Sequence, residues 1–238
     1  MSDWKAKRFW KEAQVTDHAE GGFAVLLDGR SIKTPAKRSL ILPTRAMARA
    51  VALEWDAQEG EIKPETMPVT KTANAALDKV LIQHGEVADM LAAYGDSDLL
   101  CYRADTPEEL VARQEAQWDP ILDWAAETLG ARLEPRTGVI HKPQDEHALA
   151  ALSARTHALD AFKLAAFHDL VSLSGSLVLG FAAIEKLHDI ETLWDISRLD
   201  EIWQIEQWGV DDEAEALTSL KKSSFQHAER MFTLCCDV

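Results

Sequence analysis

Cysteine is scarce in this chain: three in 238 residues, at Cys101, Cys235 and Cys236, with no C-x-x-C pair. That number and placement exclude a disulfide framework and point to a reducing compartment. Glycine (11) and proline (8) are also few. Their shortage, with 47% apolar residues, excludes a low-complexity chain and argues for a folded, helix-rich protein with ample length to bury a core. Basic residues fall short as well, 25 against 40 acids, for a net charge of −15. Such a chain repels phosphate backbones and anionic lipid surfaces, so no nucleic-acid partner is expected. The uncharged run from Leu170 to Ile184 has 15 residues, short of the ~20 a spanning helix needs, and reads as a buried core helix. The amino terminus, Met1 to Trp10, has bases but no continuous apolar stretch, so no secretory signal is expected.

Catalytic chemistry is missing too. The eight histidines are scattered, and His168-Asp169 diverge on a helix, so no metal site is expected. Neither G-x-G-x-x-G after a strand nor G-x-x-x-x-G-K-[ST] is present, which leaves no phosphate cradle and no cofactor. Leu173-Ser174-Gly175-Ser176 lacks the G-x-S-x-G elbow of a serine nucleophile. Cys101 lies in the apolar segment Asp98-Leu-Leu-Cys101-Tyr102-Arg103, where cysteine behaves as a small buried hydrophobe.

What is there begins with β structure over residues 8–43. Asp28-Gly29 supplies the two positive-φ positions of a type I′ hairpin. Thr44 then reads as the N-cap of a helix that Gly60 stops. The extended segment from Glu61 to Pro68 carries two prolines in five residues, which makes it the candidate domain connector. The spacing predicts helices near 69–81, 85–94, 107–117, 120–129, 145–160, 161–185, 190–208 and 212–234. Thr106-Pro107 and Asp119-Pro120 read as helix starts, Gly130 and Gly209 as stops. Ser172, Ser176 and Gly180 form a strip of small residues along the 161–185 helix, open to close helix packing. The expected architecture is α+β: a small β-rich domain with one helix at 1–66 and a larger helical domain at 67–238.

Against this ordinary background, the segment from Arg198 to Gly209 stands out. Advancing about 100° per residue from Trp194 puts Trp208 at about 320°, Ile205 at about 20°, Ile202 at about 80° and Leu199 at about 140°, one broad apolar face. Glu201, at about 340°, and Arg198, at about 40°, fall inside it. A carboxylate between Trp208 and Trp194 must be paired, protonated or waiting for a partner, and Arg198 at i−3 is the available cation. Of the eight tryptophans, most belong in the core, and Trp203 at the edge of the apolar face is the one expected to be exposed.

Leu199-Asp-Glu201-x-Trp203-Gln204-Ile-x-x-Trp208-Gly209 is one of a series of motifs running in order along almost the whole chain. The others include Asp28-Gly29-Arg-x-Ile-Lys33-Thr34-Pro35, Leu42-Pro43-Thr44-Arg, Glu54-Trp55-Asp56-x-Gln58, Met67-Pro68-Val-Thr70, Asp98-Leu-Leu-Cys-Tyr102-Arg103, Arg113-Gln114-x-x-x-Trp118-Asp119-Pro120 and Ser174-Gly175-Ser176. Together they resemble the ATP12 family, assembly chaperones of the F1 sector of ATP synthase. The resemblance implies a non-enzymatic protein that binds the free F1 α subunit and shields its assembly surface until the β subunit replaces it. It also implies that Glu201 is the glutamate of the family's functionally critical segment. Arg198, Glu201, Trp203, Gln204 and Trp208 are therefore the expected partner-binding residues. Glu201 has two readings that stay open here, a client contact or the partner of Arg198 in a structural ion pair. The alternative from another class is a small hydrolase or lyase with Glu201 as general base, its proton affinity raised by burial. Because the chain reaches Arg8-Phe9-Trp10 with no presequence of the kind mitochondrial members carry, a bacterial cytosolic protein is expected, and a monomer.

Overall fold

The hairpin around Asp28-Gly29 organises the amino-terminal sheet: both residues have positive φ, 46° and 81°, as a type I′ turn requires. The computed structural model describes residues 7–138 and 141–236, the Asp212 side chain excepted. Trp4 and the rest of the first six residues thus lie outside the described residues. Strand β2 (Phe23–Leu27) pairs antiparallel with β1 (Ala13–Asp17) on one side. On its other side it pairs with β3 (Arg30–Ser31) and β4 (Ile41–Leu42). Thr44 caps helix α1 (Arg45–Asp56) by accepting the Met47 amide at 3.1 Å. The helix ends at Asp56 rather than at Gly60. Helix α2 (Pro68–Ala75), prolonged by a π-helical turn at Ala76–Val80, starts against the Glu54 carboxylate, which accepts the amides of Val69 and Thr70 at 2.7 and 2.8 Å.

Two compact units result. The first is the described part of Met1–Gln83 with Ala161–Ala166 and Arg230–Val238. Its core joins Val25 and Leu27 of β2, Leu42 of β4 and the preceding Leu40 to Met47 and Val51 of α1, Val69 and Ala73 of α2, and Met231. The proline-rich segment 61–68 lies inside this unit. The second unit, His84–Asp160 with Phe167–Glu229, is mostly helical, so the fold is α+β with its four-stranded sheet near the amino terminus.

In the second unit α3 (His84–Ala92) packs on α5 (Glu146–His157). Helix α4 runs unbroken from Glu108 to Trp124 and continues as a π-helical turn at Ala125–Leu129. The starts read at Thr106 and Asp119 are therefore corrected: Pro107 occupies the N-cap position, and Pro120 sits inside the helix. Tertiary packing holds α4 through that proline. Trp118 is fully buried with its indole donating to the Ile196 carbonyl at 3.0 Å, and Asp119 pairs with Arg103 at 2.7 Å. Tyr102–Arg103 (β5) and Arg136–Thr137 (β6) form a short parallel pair.

The expected helix over 161–185 is two helices, α6 (Ala161–Ser174) and α7 (Leu177–Ile184). Gly175 takes φ +73° and Ser176 caps the new helix by accepting the Leu179 amide at 2.9 Å. Hence Ser172, Ser176 and Gly180 do not line one helix face. Gly180 alone provides close approach: a Cβ there would lie 2.7 Å from Val171 Cγ2 and 3.0 Å from Phe167 Cε2. Gly180→Ala is therefore expected to destabilise the chain by about 1–3 kcal/mol through overpacking. Urea unfolding checks this: the midpoint falls with its slope unchanged. The run 170–184 is mostly buried, with Ser172 exposed, and among the described residues no helix is long and apolar enough to cross a membrane.

The helix expected over 190–208 also divides, into α8 (Ile190–Ser197) and α9 (Leu199–Trp208). Arg198 leaves the helical region at φ −110°, ψ 16°. Helix α10 (Asp212–Leu234) closes the chain.

Candidate functional site

The break at Arg198 rotates α9 out of the frame that a single helix would impose, and so redistributes its faces. Leu199 is buried and Ile202 and Trp203 are half-buried, with Glu206 on the same side at i+7 from Leu199. This face rests on α4. Gln114 Nε2 donates to Asp200 Oδ1 at 2.7 Å, and Arg113 forms a two-pronged pair with Glu206 at 2.6 and 3.0 Å. The Arg113 guanidinium holds the Glu206 carboxyl below the usual range and is itself held more firmly protonated.

The opposite face, at i, i+3, i+4 and i+7, consists of Glu201, Gln204, Ile205 and Trp208, and all four are exposed. Trp208 is 79% exposed. Trp203, expected to be the exposed tryptophan, is half-buried. Trp194, from which the wheel was drawn, is buried against Phe225 with ring centroids 5.5 Å apart. Glu201 therefore does not sit in an apolar sandwich between Trp194 and Trp208.

Arg198 and Glu201 do meet, Nη1 to Oε1 at 2.9 Å, with the Glu201 side chain 53% exposed. Arg198 is the more buried partner. Its guanidinium lies 5.3 Å from the Trp194 ring centroid, and its Nε donates to the Ser197 carbonyl at 3.0 Å. Of the five residues proposed from sequence, the structure joins only this pair directly. Gln204 and Trp208 share the outer face with Glu201, and Trp203 belongs to the packed side. Arg113, Gln114, Asp200 and Glu206, which orient α9, were not singled out as site residues. The first two lay in a recognised motif, but nothing local in the sequence pairs them with residues some ninety positions away.

A general base at Glu201 would need burial to raise its proton affinity, and the Glu201 side chain is 53% exposed. A cavity of about 280 Å³ lies in the same unit, lined by Arg103, Val111, Gln114, Asp119 and Arg136 among others, and Glu201 is not one of them. Cys101 is buried, and burial pushes its thiol up to about 12, where it is inert as a nucleophile. Among the described residues no group of three or more His, Cys, Asp or Glu side chains could hold a metal ion.

What this geometry offers is a braced helix with a mixed, exposed outer face of tryptophan, isoleucine, glutamine and glutamate. The chain belongs to the ATP12 family of chaperone proteins: the family profile, described as ATP12 chaperone protein, matches residues 7–126. It is similar to the crystal structure of Atp12 from Paracoccus denitrificans, with 48% identity and a TM-score of 0.95 over 98% of this chain and 100% of that one. A structure from Agrobacterium tumefaciens is 41% identical, with a TM-score of 0.90 over 96% of this chain and 85% of that one. The mitochondrial protein atp12 of Schizosaccharomyces pombe is 26% identical over 220 residues, 87% of this chain and 75% of that protein.

Proposed function

We propose that this protein is a non-catalytic chaperone for assembly of the F1 sector of ATP synthase, binding the free α subunit and covering its assembly surface until β takes that place. The observation that carries the reading is the match to Atp12 of P. denitrificans at 48% identity along essentially the entire chain. The outer face of α9 supports it, because Trp208 and Ile205 offer apolar area while Glu201 and Gln204 offer polar groups to orient a client. In this reading Glu201 contacts the client and Arg198 fixes its rotamer, so the ion pair and the recognition role are one arrangement. The chaperone acts as a monomer in the bacterial cytosol, kept apart from its own copies by the −15 charge.

Separately expressed α and β subunits presented to the immobilised chain test this directly. Recovery of α in near-equal amount is expected. Capture of β without α overturns the α-specific reading.

A further inference from the structure

Helix α10 is packed along only part of its length. From Glu213 through Lys221 every residue is exposed, and the first buried side chains are Phe225 and Ala228. The bare stretch of nine residues is about 13 Å long at about 1.5 Å per residue. It is nevertheless amphipathic. At about 100° per residue, Leu217 and Leu220 fall within the same ~140° sector as the buried Phe225 and Ala228. The apolar face that α10 buries further along is continued here without anything over it. Leu217 is 54% exposed and Leu220 68%, and just before the helix Val210 and Trp208 are exposed as well.

Charge decides what fits. From Leu199 to Leu220 the chain has no lysine, arginine or histidine. Glu213 lies between Leu217 and Leu220 on the wheel, within the leucine face. Neither Glu213 nor Glu215 has an ion-pair partner among the described residues. The first cations are Lys221, which lies in the same sector and closes the stripe at its far end, and Lys222, drawn toward Glu191 and Asp195 at 3.9 Å each. A helix also has no free backbone edge, so an incoming segment cannot add as a strand. The complement of a short apolar stripe that holds Glu213 in its face and continues a segment of seven acids without a base, Leu199 to Leu220, is a second amphipathic helix carrying lysine or arginine beside its leucine-like positions. A second copy of this chain is the wrong occupant, since it brings the same acidic arm.

We propose that the amino-terminal half of α10, centred on Leu217 and Leu220 with Glu213, is a docking surface for a basic amphipathic helix of the client subunit. The proposal rests on the chaperone reading and adds to it a second contact element beyond α9, with the chemistry of the segment it takes.

The test uses the full chain and its Leu217→Ser/Leu220→Ser variant, which keeps every charge and, being altered only at exposed positions, keeps its melting temperature. Two probes are titrated by fluorescence anisotropy: purified F1 α subunit, and an 18-residue helix built of leucine and lysine, with a leucine–glutamate helix as control. The wild type is expected to bind the lysine helix at least tenfold more tightly than the glutamate helix. The variant is expected to lose at least tenfold toward both the lysine helix and α. Equal α binding by variant and wild type overturns the docking surface and leaves the chaperone reading intact. If the wild type does not bind α, the chaperone reading fails, and the lysine helix alone decides the surface: tenfold loss in the variant supports it, unchanged affinity overturns it. A concentration-dependent dimer that the variant abolishes also overturns it.

Discussion

Replacing Asp98 by alanine is expected to cost about 3 kcal/mol or more of folding free energy at neutral pH. Asp98 is fully buried and stands at the amino terminus of α7. One carboxylate oxygen accepts the Leu100 amide at 3.1 Å, the other the Val178 amide at 3.0 Å, and the nearby Ser176 hydroxyl and Leu177 amide favour the charged carboxylate as well. Ser176 in turn accepts from Leu179, so the first free amides of α7 are satisfied by these two side chains. Alanine leaves several buried donors with nothing to bond, at about 1–3 kcal/mol each. Relief from burying a charge offsets part of that sum. Urea denaturation measures the result, and a loss under 1 kcal/mol would show that water or backbone movement replaces the carboxylate.

The same residue fixes a pH dependence. Burial pushes the Asp98 carboxyl from 3.8 up to about 6, against the lowering effect of its hydrogen bonds. A folded-state value above the unfolded one means the folded chain binds the extra proton. The part of the stabilisation that comes from this extra proton is thus fully present below about 3.8 and is lost as pH rises through about 6, while the hydrogen bonds accepted by the carboxylate persist. The cost of Asp98→Ala is therefore expected to be larger at pH 5 than at pH 7.5, by about 1 kcal/mol. The opposite order would mean that Asp98 is held ionised.

Residues that act on their own backbone or the next turn are the most readable in the chain, and those that orient α9, Arg113, Gln114, Asp200 and Glu206, are not. Asp28-Gly29 and Thr44 act through their own backbone or the next turn, so sequence placed the hairpin and the start of α1 correctly. Gly175-Ser176 carried an equally local signal, a left-handed glycine followed by a serine cap. The uninterrupted apolar run masks it, so periodicity alone reads α6 and α7 as one helix. Arg198 offered no such signal. It is neither glycine nor proline, and the helix breaks there while its guanidinium sits over Trp194 and pairs with Glu201, and Asp200 reaches Gln114 on α4. Those contacts are long-range or depend on the break itself. A wheel drawn across Arg198 puts Trp208 on the apolar face beside Trp194 and Trp203 at its edge, whereas α9 exposes Trp208 and half-buries Trp203. The same cause explains Pro120, which reads as a helix start until Trp118 and Asp119 are seen anchored on either side of the turn.

Trp208→Ser is expected to weaken capture of the α subunit by roughly 30- to 100-fold, about 2–3 kcal/mol, while leaving stability within about 0.5 kcal/mol of wild type. The physical basis is exposure: a tryptophan that is 79% accessible contributes little to the fold, and only a partner can remove that area from water. Glu201→Ala belongs in the same experiment because it separates the two roles of its ion pair. An exposed i,i+3 pair contributes at most about 1 kcal/mol to stability, so its loss should scarcely move the melting temperature. If Glu201 reaches the client, however, capture collapses in this variant as well, and Glu201→Gln restores part of it by returning the hydrogen-bond acceptor without the charge. Arg113→Ala serves as the contrast, since Arg113 grips Glu206 on the packed side of α9 and its removal loosens the helix without touching the outer face, giving a modest loss of capture. Titration of labelled α subunit against the four variants ranks them. Wild-type affinity in both Trp208→Ser and Glu201→Ala would place the client elsewhere on the molecule, and a large stability loss with capture retained in Glu201→Ala would make its pair with Arg198 purely structural.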